Sequence, residues 1–580
     1  MRKPALPALL TALIVLTALA ARLIPGPRTI DDSYITFRYA RNLLAGEGFV
    51  YNPGQPVQGT TTPLYTFMMA GIGLLTGGTQ ANFPLNALVL NALADAATCF
   101  LLIRLGRRAG AVWPGYAAAL AWAVAPFSVT FAVGGLETSV YVLLLTGLAL
   151  AYAEQRRALT GLLGALAVLT RPDAVILVGP LILDRLVRAF RKTDEPLSAR
   201  ELLAFLVPTL SWAAFAALTF GSPIPHSVQA KAGAYLLPPH DALIRLIQHY
   251  ATPFMEQNLL GPALAVGLGL VLYPFLYIIG ARRIYRREAR LLGWLLYPAL
   301  YFFTFALPNP LIFRWYLTPP LPVYYLGILA GVEMLVRGRK AISDVSIRSD
   351  AGSSGSTSSE SLWKKQIPIP LSIRDQKSEI DNSSSLPHHP LNQNTDLSSS
   401  ISIQHSAFSN AFSSKPFQFR TILAILLLLL PSLLLLSEWR IHPDHGLDRP
   451  APEMAWYKLE LLYRQAADFL APQMSPGDVL AAGDVGVLGY YTPARILDTV
   501  GLNSPETLAY YPLDPKYYVI NYAVAPDLIL DQQPDWVVIL EVYGRLGLLP
   551  DPRFQAQYEL VKTLDTDIYG SEGMLIFKRR

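Results

Sequence analysis

The stretch LLGPALAVGLGLVLYPFLYIIGA, residues 259–281, carries no charged side chain and is long enough to cross a lipid bilayer as a helix. Uncharged apolar runs also occupy residues 5–21 and 422–436. Of the 580 residues, 52% are hydrophobic and only 15% are charged. A soluble protein of this length needs more charged surface than that. The chain is therefore expected to be a polytopic α-helical membrane protein.

Hydrophobic segments separated by polar or basic residues predict about eleven membrane spans. They lie at about 7–24, 82–103, 112–132, 136–153, 157–170, 172–190, 202–220, 258–281, 291–307, 316–336 and 419–437. Arginine and lysine clusters follow alternate spans, which is the pattern of cytoplasmic loops. We expect a multi-pass protein of the plasma membrane with a cytoplasmic N-terminus. The apolar stretch 63–75 is then expected to lie along the interface or to re-enter, because a crossing there would move every later cluster outside.

Composition divides the chain into a membrane module at 1–340, a last span at 419–437 and two polar regions. The Ser-rich segment 341–418 has few large apolar side chains, so we expect a disordered cytoplasmic loop. One cysteine rules out an intramolecular disulfide framework. The net charge of +5 resides in clusters between spans, which gives no indication of nucleic-acid binding.

The tail at 440–580 alternates a helical stretch, 453–470, with short β-like runs separated by turn residues. The β-like runs are 479–482, 496–497, 536–540 and 575–578. This pattern predicts a small α/β domain, which the topology places outside the cytoplasm. Its Gly483-Asp484-Val485-Gly486 turn resembles a phosphate-binding turn but lacks the lysine of a P-loop.

The same topology brings five polar segments to the side of the membrane that holds the C-terminal domain. They are 25–62, 134–138, 171–173, 221–257 and 308–316. Polar segments that converge at one face of a helical module are candidates for a shared site.

The first of these segments contains two adjacent acids, Asp31 and Asp32, close to the end of the first span. Either acid is well placed to cap a helix that runs to about Leu44, and Gly46 is well placed to end it. One capping acid suffices, so we expect the other to have a different role. A partly desolvated carboxylate at the membrane surface can act as a general base on a sugar hydroxyl. A nearby arginine or a divalent cation would keep the second acid ionised.

This first loop resembles that of membrane glycosyltransferases of the GT-C superfamily, in particular the group that includes the mycobacterial terminal arabinofuranosyltransferases. The matching residues are 31–41, Gly46, Gly48, 52–54 and 59–64, with short matches at 135–138, 171–173, 221–226, 483–486, Asp498 and 501–502. Two positions depart from the family pattern, with Gln58 where an acid is common and Tyr65 where Trp is common. Members carry an aspartate pair in this loop and take sugar from a polyprenyl phosphate.

The resemblance implies a GT-C fold and a single displacement at the anomeric carbon. The acceptor hydroxyl would attack, an aspartate would take its proton, and polyprenyl phosphate would leave. Asp31 and Asp32 would be the catalytic pair, with Asp31 slightly favoured as the base because it lies nearer the span, and either would hold a divalent cation if one binds; no other cofactor is implied. The residues expected to bind donor phosphate or sugar are Arg38, Arg41, Glu137, Arg171, His226, Lys231 and Arg314. Each of these also has a structural explanation, such as anchoring at lipid headgroups or capping a helix.

The leading hypothesis is thus a glycosyltransferase that uses a polyprenyl-phosphate sugar and an extracytoplasmic glycan, lipid or protein acceptor. A transporter or flippase of lipid-linked saccharides also needs many spans, but it usually carries ionisable residues near the bilayer midplane. The main acids within the predicted spans are Asp95 and Glu333. A non-catalytic receptor makes no use of the aspartate pair and is least favoured.

Overall fold

The structure, a computed structural model, describes residues 6–254, 261–350, 402–441 and 449–580. They form two compact units, one of Met1–Leu335 with Leu426–Arg580 and a smaller one of Val336–Ile425. Most of the predicted Ser-rich loop at 341–418 lies outside the described residues. Its two ends continue the flanking helices, which reach Asp350 and resume at Ser402.

The membrane module consists of apolar helices joined by short connections. They are α1 (Leu6–Leu23), α3 (Pro63–Thr76), α4 (Phe83–Arg108), α5 (Val112–Val124), α6 (Pro126–Val133), α7 (Thr138–Ala153), α8 (Arg157–Thr170), α9 (Val175–Phe190), α10 (Ala199–Phe220), α13 (Pro262–Arg287), α14 (Leu292–Ala306), α15 (Leu321–Asp350) and α16 (Ser402–Leu436). A helix lies at each predicted span. By length and composition seven helices among the described residues can cross a membrane, or eight with one bent pair. The number eleven therefore stays a prediction.

The bent pair is α5 and α6, which were predicted as a single span. The two helices meet at 45°. Ala125 between them has an extended backbone (φ −62°, ψ 131°). Pro126 follows it, and a proline disfavours the helical conformation of the residue before it. The sequence therefore contains the cause of the break.

The basic clusters meet at one end of the module, where they form ion pairs with acids from neighbouring helix ends. Arg104 lies 2.5 Å from Glu154, and Arg108 lies 2.9 Å from Glu288. These contacts join the ends of α4, α7 and α13, so the clusters share one end as their alternation predicted. The side of the membrane that this end faces stays a prediction.

The C-terminal domain contains the predicted sheet. Its elements are β1 (Trp439–Ile441), β2 (Pro450–Pro452), α17 (Lys458–Leu470), β3 (Val479–Ala482), α18 (Gly486–Tyr491), β4 (Arg495–Asp498), α19 (Pro526–Gln532), β5 (Trp536–Leu540), α20 (Glu541–Gly544), α21 (Pro552–Gln557), β6 (Tyr558–Leu564) and β7 (Met574–Arg579). Strands β1 and β2 pair separately, and the other five form a sheet in the order β4-β3-β5-β7-β6. The first three of these run parallel, so their carboxyl ends share one edge. Loops at such an edge commonly form ligand sites.

Three further helices lie between the spans: α2 (Asp31–Leu44), α11 (His226–Ala234) and α12 (Asp241–Ala251). Helix α2 has the predicted bounds, and Gly46 follows it with a φ of +83° that favours glycine. The expectation that an aspartate caps α2 is wrong. The residue before the helix is Ile30, and it makes no side-chain capping bond. The Asp31 carboxylate is directed to another helix instead.

Candidate active site

A cavity of about 510 Å³ lies between the membrane module and the C-terminal domain. All five polar segments that were predicted to converge contribute to its wall, and the C-terminal domain contributes Leu502. The charged side chains that line it are Asp32, Glu137, Arg171, Asp173 and Lys231. The alternation of basic clusters therefore predicted which segments meet.

Asp32 is the acid of the first loop that faces this cavity. No hydrogen bond or ion pair from another described residue engages its half-buried carboxylate. Burial raises the pKa of Asp32, and the positive charge of Lys231 opposes that rise. A carboxylate with free lone pairs and a raised pKa has the properties of a general base.

Asp31 is 6% exposed and does not line the cavity. Its two carboxylate oxygens accept hydrogen bonds from the backbone N–H groups of Gly486 (2.8 Å) and Val487 (2.7 Å). These are the first residues of α18. The two acids thus have different surroundings, and Asp31, which the sequence slightly favoured as the base, is the one that does not face the cavity.

Arg38 and Arg41 were predicted to bind phosphate, but neither lines the cavity. Arg38 is buried and donates to the carbonyls of Tyr51 (2.8 Å) and Gly489 (2.5 Å). Arg41 donates to the carbonyl of Tyr490 (2.7 Å) and lies over its ring. Both guanidinium groups therefore bind the end of α18.

Arg171 and Glu137 do line the cavity, where these two buried side chains form a cluster with the half-buried Asp173. The Arg171 guanidinium lies 2.9 Å from the Asp173 carboxylate and 3.4 Å from that of Glu137. It also lies 4.4 Å from the centre of the Tyr316 ring. Two carboxylates already balance this cation, so it is a fixed part of the wall.

Lys231 and His226 lie on α11 but face different surroundings. Lys231 lines the cavity, 5.0 Å from the Phe313 ring, and no carboxylate of the described residues lies within ion-pair distance of it. Burial alone would lower the pKa of Lys231, but the nearby Tyr316 and Asp32 raise it overall. His226 does not line the cavity, because five residues along a helix turn the side chain by about 140°. Its backbone N–H donates to the Gln58 carbonyl (3.0 Å), and burial lowers the pKa of its imidazole.

Arg314 is exposed and does not line the cavity, whereas its neighbours Trp315 and Tyr316 do. Sequence reasoning also missed the hydroxyl groups of the wall. Ser227 is buried there, and its hydroxyl has no hydrogen-bond partner among the described residues. The threonines at 60–62 lie beside it in the wall. These threonines belong to segment 59–64, which resembles the family pattern, and that resemblance was the available indication of their place in the site.

The C-terminal wall depends on buried acids at the carboxyl edge of the sheet. Asp498, the last residue of β4, accepts backbone N–H bonds from Val500, Gly501 and Asn503 and so fixes the loop that carries Leu502. Burial raises the pKa of Asp498 to about 6, and these bonds oppose the rise. Asp498 is thus a structural acid of the matched tail segment.

Comparisons with known proteins agree with this architecture. The crystal structure of ArnT from Cupriavidus metallidurans bound to undecaprenyl phosphate aligns with a TM-score of 0.51 over 98% of this chain and 97% of that one, at 11% identity. Its apo structure gives the same values. The chain has the GT-C fold. This confirms the predicted fold class.

Two sequence matches cover parts of this chain. Over 179 residues it is 30% identical to terminal beta-(1->2)-arabinofuranosyltransferase of Mycobacterium tuberculosis. That match covers 27% of this chain and 28% of the relative, so the chain matches about a quarter of the curated relative's length. A family model described as a domain of unknown function (DUF8728) matches residues 453–577, within the C-terminal domain.

A divalent cation does not fit the acids of this cavity. Among the described residues, no three His, Cys, Asp or Glu side chains are grouped to hold an ion. Both oxygens of Asp31 accept backbone N–H bonds, and Glu137 and Asp173 are paired with Arg171. Asp484 and Glu460 lie near enough to Asp32 for their charges to interact, but the described acids do not form a group of three around it.

A separate apolar groove of about 500 Å³ lies in the membrane module. It is lined mainly by apolar and aromatic side chains, among them Phe49, Phe67, Trp212 and Phe215. Pro63 of the groove follows Thr62 of the cavity wall, and Leu169 of the groove lies two residues before Arg171. Neighbouring positions of the chain thus line both the cavity and the groove.

Proposed function

We propose that this protein is a membrane glycosyltransferase that moves a sugar from a polyprenyl-phosphate donor to an acceptor hydroxyl. The observation that carries the proposal is the placement of Asp32, whose carboxylate is unengaged, and Lys231 in one cavity. The first can accept a proton, and the second can bind a phosphate. A base and a phosphate-binding cation in one cavity are the two groups that such a transfer needs.

The reaction is a single displacement. The acceptor oxygen forms a bond to the anomeric carbon while the bond from that carbon to the phosphate oxygen breaks. Asp32 takes the hydroxyl proton, and polyprenyl phosphate leaves with the electron pair of the broken bond. Lys231 stabilises the phosphate charge that develops. Displacement by one attack from the opposite face inverts the configuration at the anomeric carbon.

The remaining wall residues are assigned to sugar binding. Glu137 and Asp173 have carboxylate lone pairs beyond those that Arg171 engages, and the hydroxyls of Ser227 and Thr61 can donate and accept. Because Arg171 holds both acids in place, their hydrogen bonds to sugar hydroxyls would need little reordering. We assign Arg171 the role of ordering this wall and Lys231 the direct phosphate contact.

The groove supports the lipid nature of the donor. A polyprenyl chain is a branched hydrocarbon, and the aromatic side chains of Phe67 and Trp212 offer it an apolar surface. The ArnT structure that shares this fold is bound to undecaprenyl phosphate. We propose that the groove takes the lipid chain while the cavity takes the sugar and phosphate.

The acids within the predicted spans give less support to a transporter than the cavity gives to a glycosyltransferase. Asp95 is 2.8 Å from Arg22, and both side chains are fully buried. Glu333 lies 2.8 Å from Arg283. Acids fixed in this way suit structural pairing better than a transport path, in which charged groups change partners.

We further propose that the protein resides in the plasma membrane with its cavity and C-terminal domain outside the cytoplasm. The only cysteine, Cys99, is buried, so cysteines introduced elsewhere can be labelled selectively. Ser475→Cys in the C-terminal domain should react with an impermeant thiol reagent in intact cells, and Arg286→Cys should react only after lysis. The opposite pattern would overturn this topology.

The function is tested with the full-length protein in liposomes. Radiolabelled undecaprenyl-phosphate-linked pentoses and hexoses serve as donors, and delipidated cell-envelope material serves as the acceptor. We expect transfer with at least one donor and a loss of about 10²-fold to 10⁴-fold in Asp32→Asn. Asp468→Asn, an exposed acid of the C-terminal domain, is the matched control. Equal activity of the two variants, or movement of donor across the bilayer without transfer, would contradict the proposal.

A further inference from the structure

Helix α2 and the C-terminal domain cap each other's helices. The Asp31 carboxylate accepts the first N–H groups of α18, from Gly486 and Val487. In return, the backbone N–H of Asp31 donates to the carboxylate of Glu460 on α17 (3.2 Å). Each contact satisfies a donor that a helix start leaves unpaired. The first loop and the C-terminal domain are therefore joined at the residue beside Asp32.

The other end of α18 is held by the same helix α2. Arg38 and Arg41 donate to the carbonyls of Gly489 and Tyr490. An acid at the start of α18 and two cations at its end match the direction of the helix dipole. We call the contacts of Asp31, Arg38 and Arg41 with α18 the clamp.

Two glycines of α18 permit this close approach. A Cβ atom on Gly486 would lie 1.8 Å from the backbone oxygen of Asp31. A Cβ atom on Gly489 would lie 2.0 Å from the Tyr51 hydroxyl and 2.5 Å from the Arg38 guanidinium. A side chain at Gly486 forces the backbones of α2 and α18 apart, and a side chain at Gly489 displaces the Tyr51 hydroxyl and the Arg38 guanidinium from α18. The turn at 483–486, which resembled a phosphate-binding turn, thus receives the carboxylate of Asp31.

We propose that α18 is the surface that positions the catalytic helix, with Asp31 as a positioning residue that fixes the direction of Asp32. This inference rests on the proposed function, because it assumes that Asp32 is the base. Neighbouring residues on a helix point about 100° apart, so anchoring Asp31 on α18 turns Asp32 to the cavity. A shift of about 1 Å at a reacting group can cost about 10²-fold in rate. The C-terminal domain is then needed for turnover although the clamp touches no substrate.

The experiment compares Asp31→Asn, Gly489→Ala, Gly477→Ala and Asp32→Asn, each as the full chain in liposomes. Gly477 is exposed in the same domain, and nothing lies within 4 Å of a Cβ placed there, so Gly477→Ala is the matched control. Turnover and KM are measured with radiolabelled undecaprenyl-phosphate-linked sugar, and binding is measured with undecaprenyl phosphate alone. We expect Asp31→Asn and Gly489→Ala to lower kcat about tenfold to hundredfold. KM and undecaprenyl phosphate binding should stay within about twofold of the unaltered protein, since the clamp does not line the cavity.

Gly489→Ala changes no ionisable group, so a loss of kcat in it can arise only through positioning or folding. Asp31→Asn keeps the size of the side chain and carries the test if Gly489→Ala does not accumulate. If the variant that folds, Asp31→Asn or Gly489→Ala, keeps an unaltered kcat while Asp32→Asn is inactive, the clamp inference is overturned. The proposed function is not affected by that result. A loss in Asp31→Asn as deep as that in Asp32→Asn, with Gly489→Ala folded and fully active, would make Asp31 a base and also overturn it. Full activity of Asp32→Asn would instead overturn the proposed function.

Discussion

The carboxylate of Asp31 and the backbone N–H of Gly486 lie 455 positions apart in the chain and are joined by a 2.8 Å hydrogen bond. Asp32, the next residue, lines the cavity and has no partner among the described residues. Adjacent positions on a helix point in different directions. An aspartate pair at the start of α2 therefore reaches two places at once, with one acid anchored on the C-terminal domain and the other facing the cavity.

Replacing Lys231 should shift the pH dependence of transfer. Asp32 acts as a base only when ionised, so activity falls as the pH drops through its pKa. Burial raises that pKa and Lys231 opposes the rise, so Lys231→Gln should raise it further and move the acid limb of kcat/KM to higher pH. The donor KM should also rise about tenfold or more through the lost phosphate contact.

The control for this measurement is Lys516→Gln, an exposed lysine of the C-terminal domain that pairs with Asp514. It should leave both the acid limb and the donor KM unchanged. An acid limb that stays in place in Lys231→Gln would argue against Asp32 as the titrating base.

Trimming the apolar groove should affect long lipid donors selectively. Trp212→Ala removes an aromatic wall of the groove, so KM should rise several-fold for an undecaprenyl-phosphate sugar and change little for a short-chain analogue. Phe303→Ala, at an exposed position on α14, is the control. An equal change for both donors would place the lipid chain elsewhere.

The sequence predicted the helix from Asp31 to Leu44 and the convergence of five polar segments, because both depend on local patterns and on the alternation of basic clusters. It did not predict the partner of Asp31, since nothing near residue 31 indicates that residue 486 will meet it. The same limit applies to Arg38 and Arg41. Their charge and position suit phosphate as well as they suit the carbonyls of α18.

The C-terminal sheet also has elements that the sequence predicted and one that it did not. Strands β3 and β5 were predicted, because their continuous apolar runs reflect burial in the sheet. Strand β6 was missed, since it lies at the sheet edge and its sequence YELVKTL keeps most of its side chains exposed. An edge strand has one hydrogen-bonded neighbour and needs little apolar surface, so its pattern resembles that of a loop.

Removing Asp95 should destabilise the membrane module. The Asp95 carboxylate accepts bonds from Arg22 (2.8 Å), Ser139 (2.8 Å) and Trp122 (3.1 Å). Asp95→Ala leaves the fully buried Arg22 without its counter-charge, which costs about 3–5 kcal/mol. Thermal unfolding in detergent measures the loss. The double variant Arg22→Met with Asp95→Leu should be nearer the unaltered protein, and a double variant as unstable as Asp95→Ala would contradict the account.

Two glycines of α13 should respond to alanine in opposite ways. A Cβ on Gly280 would lie 1.9 Å from the backbone oxygen of Gly327 on α15, so Gly280→Ala must separate two packed helices. Overpacking of this kind costs about 1–3 kcal/mol. Nothing lies within 4 Å of a Cβ on Gly267, and alanine favours a helix over glycine by about 1 kcal/mol, so Gly267→Ala should be neutral or stabilising. Thermal unfolding of the two variants in the same detergent tests the contrast. Equal melting temperatures would mean that α13 and α15 do not cross at Gly280, whereas a lower value for Gly280→Ala alone supports backbone contact there.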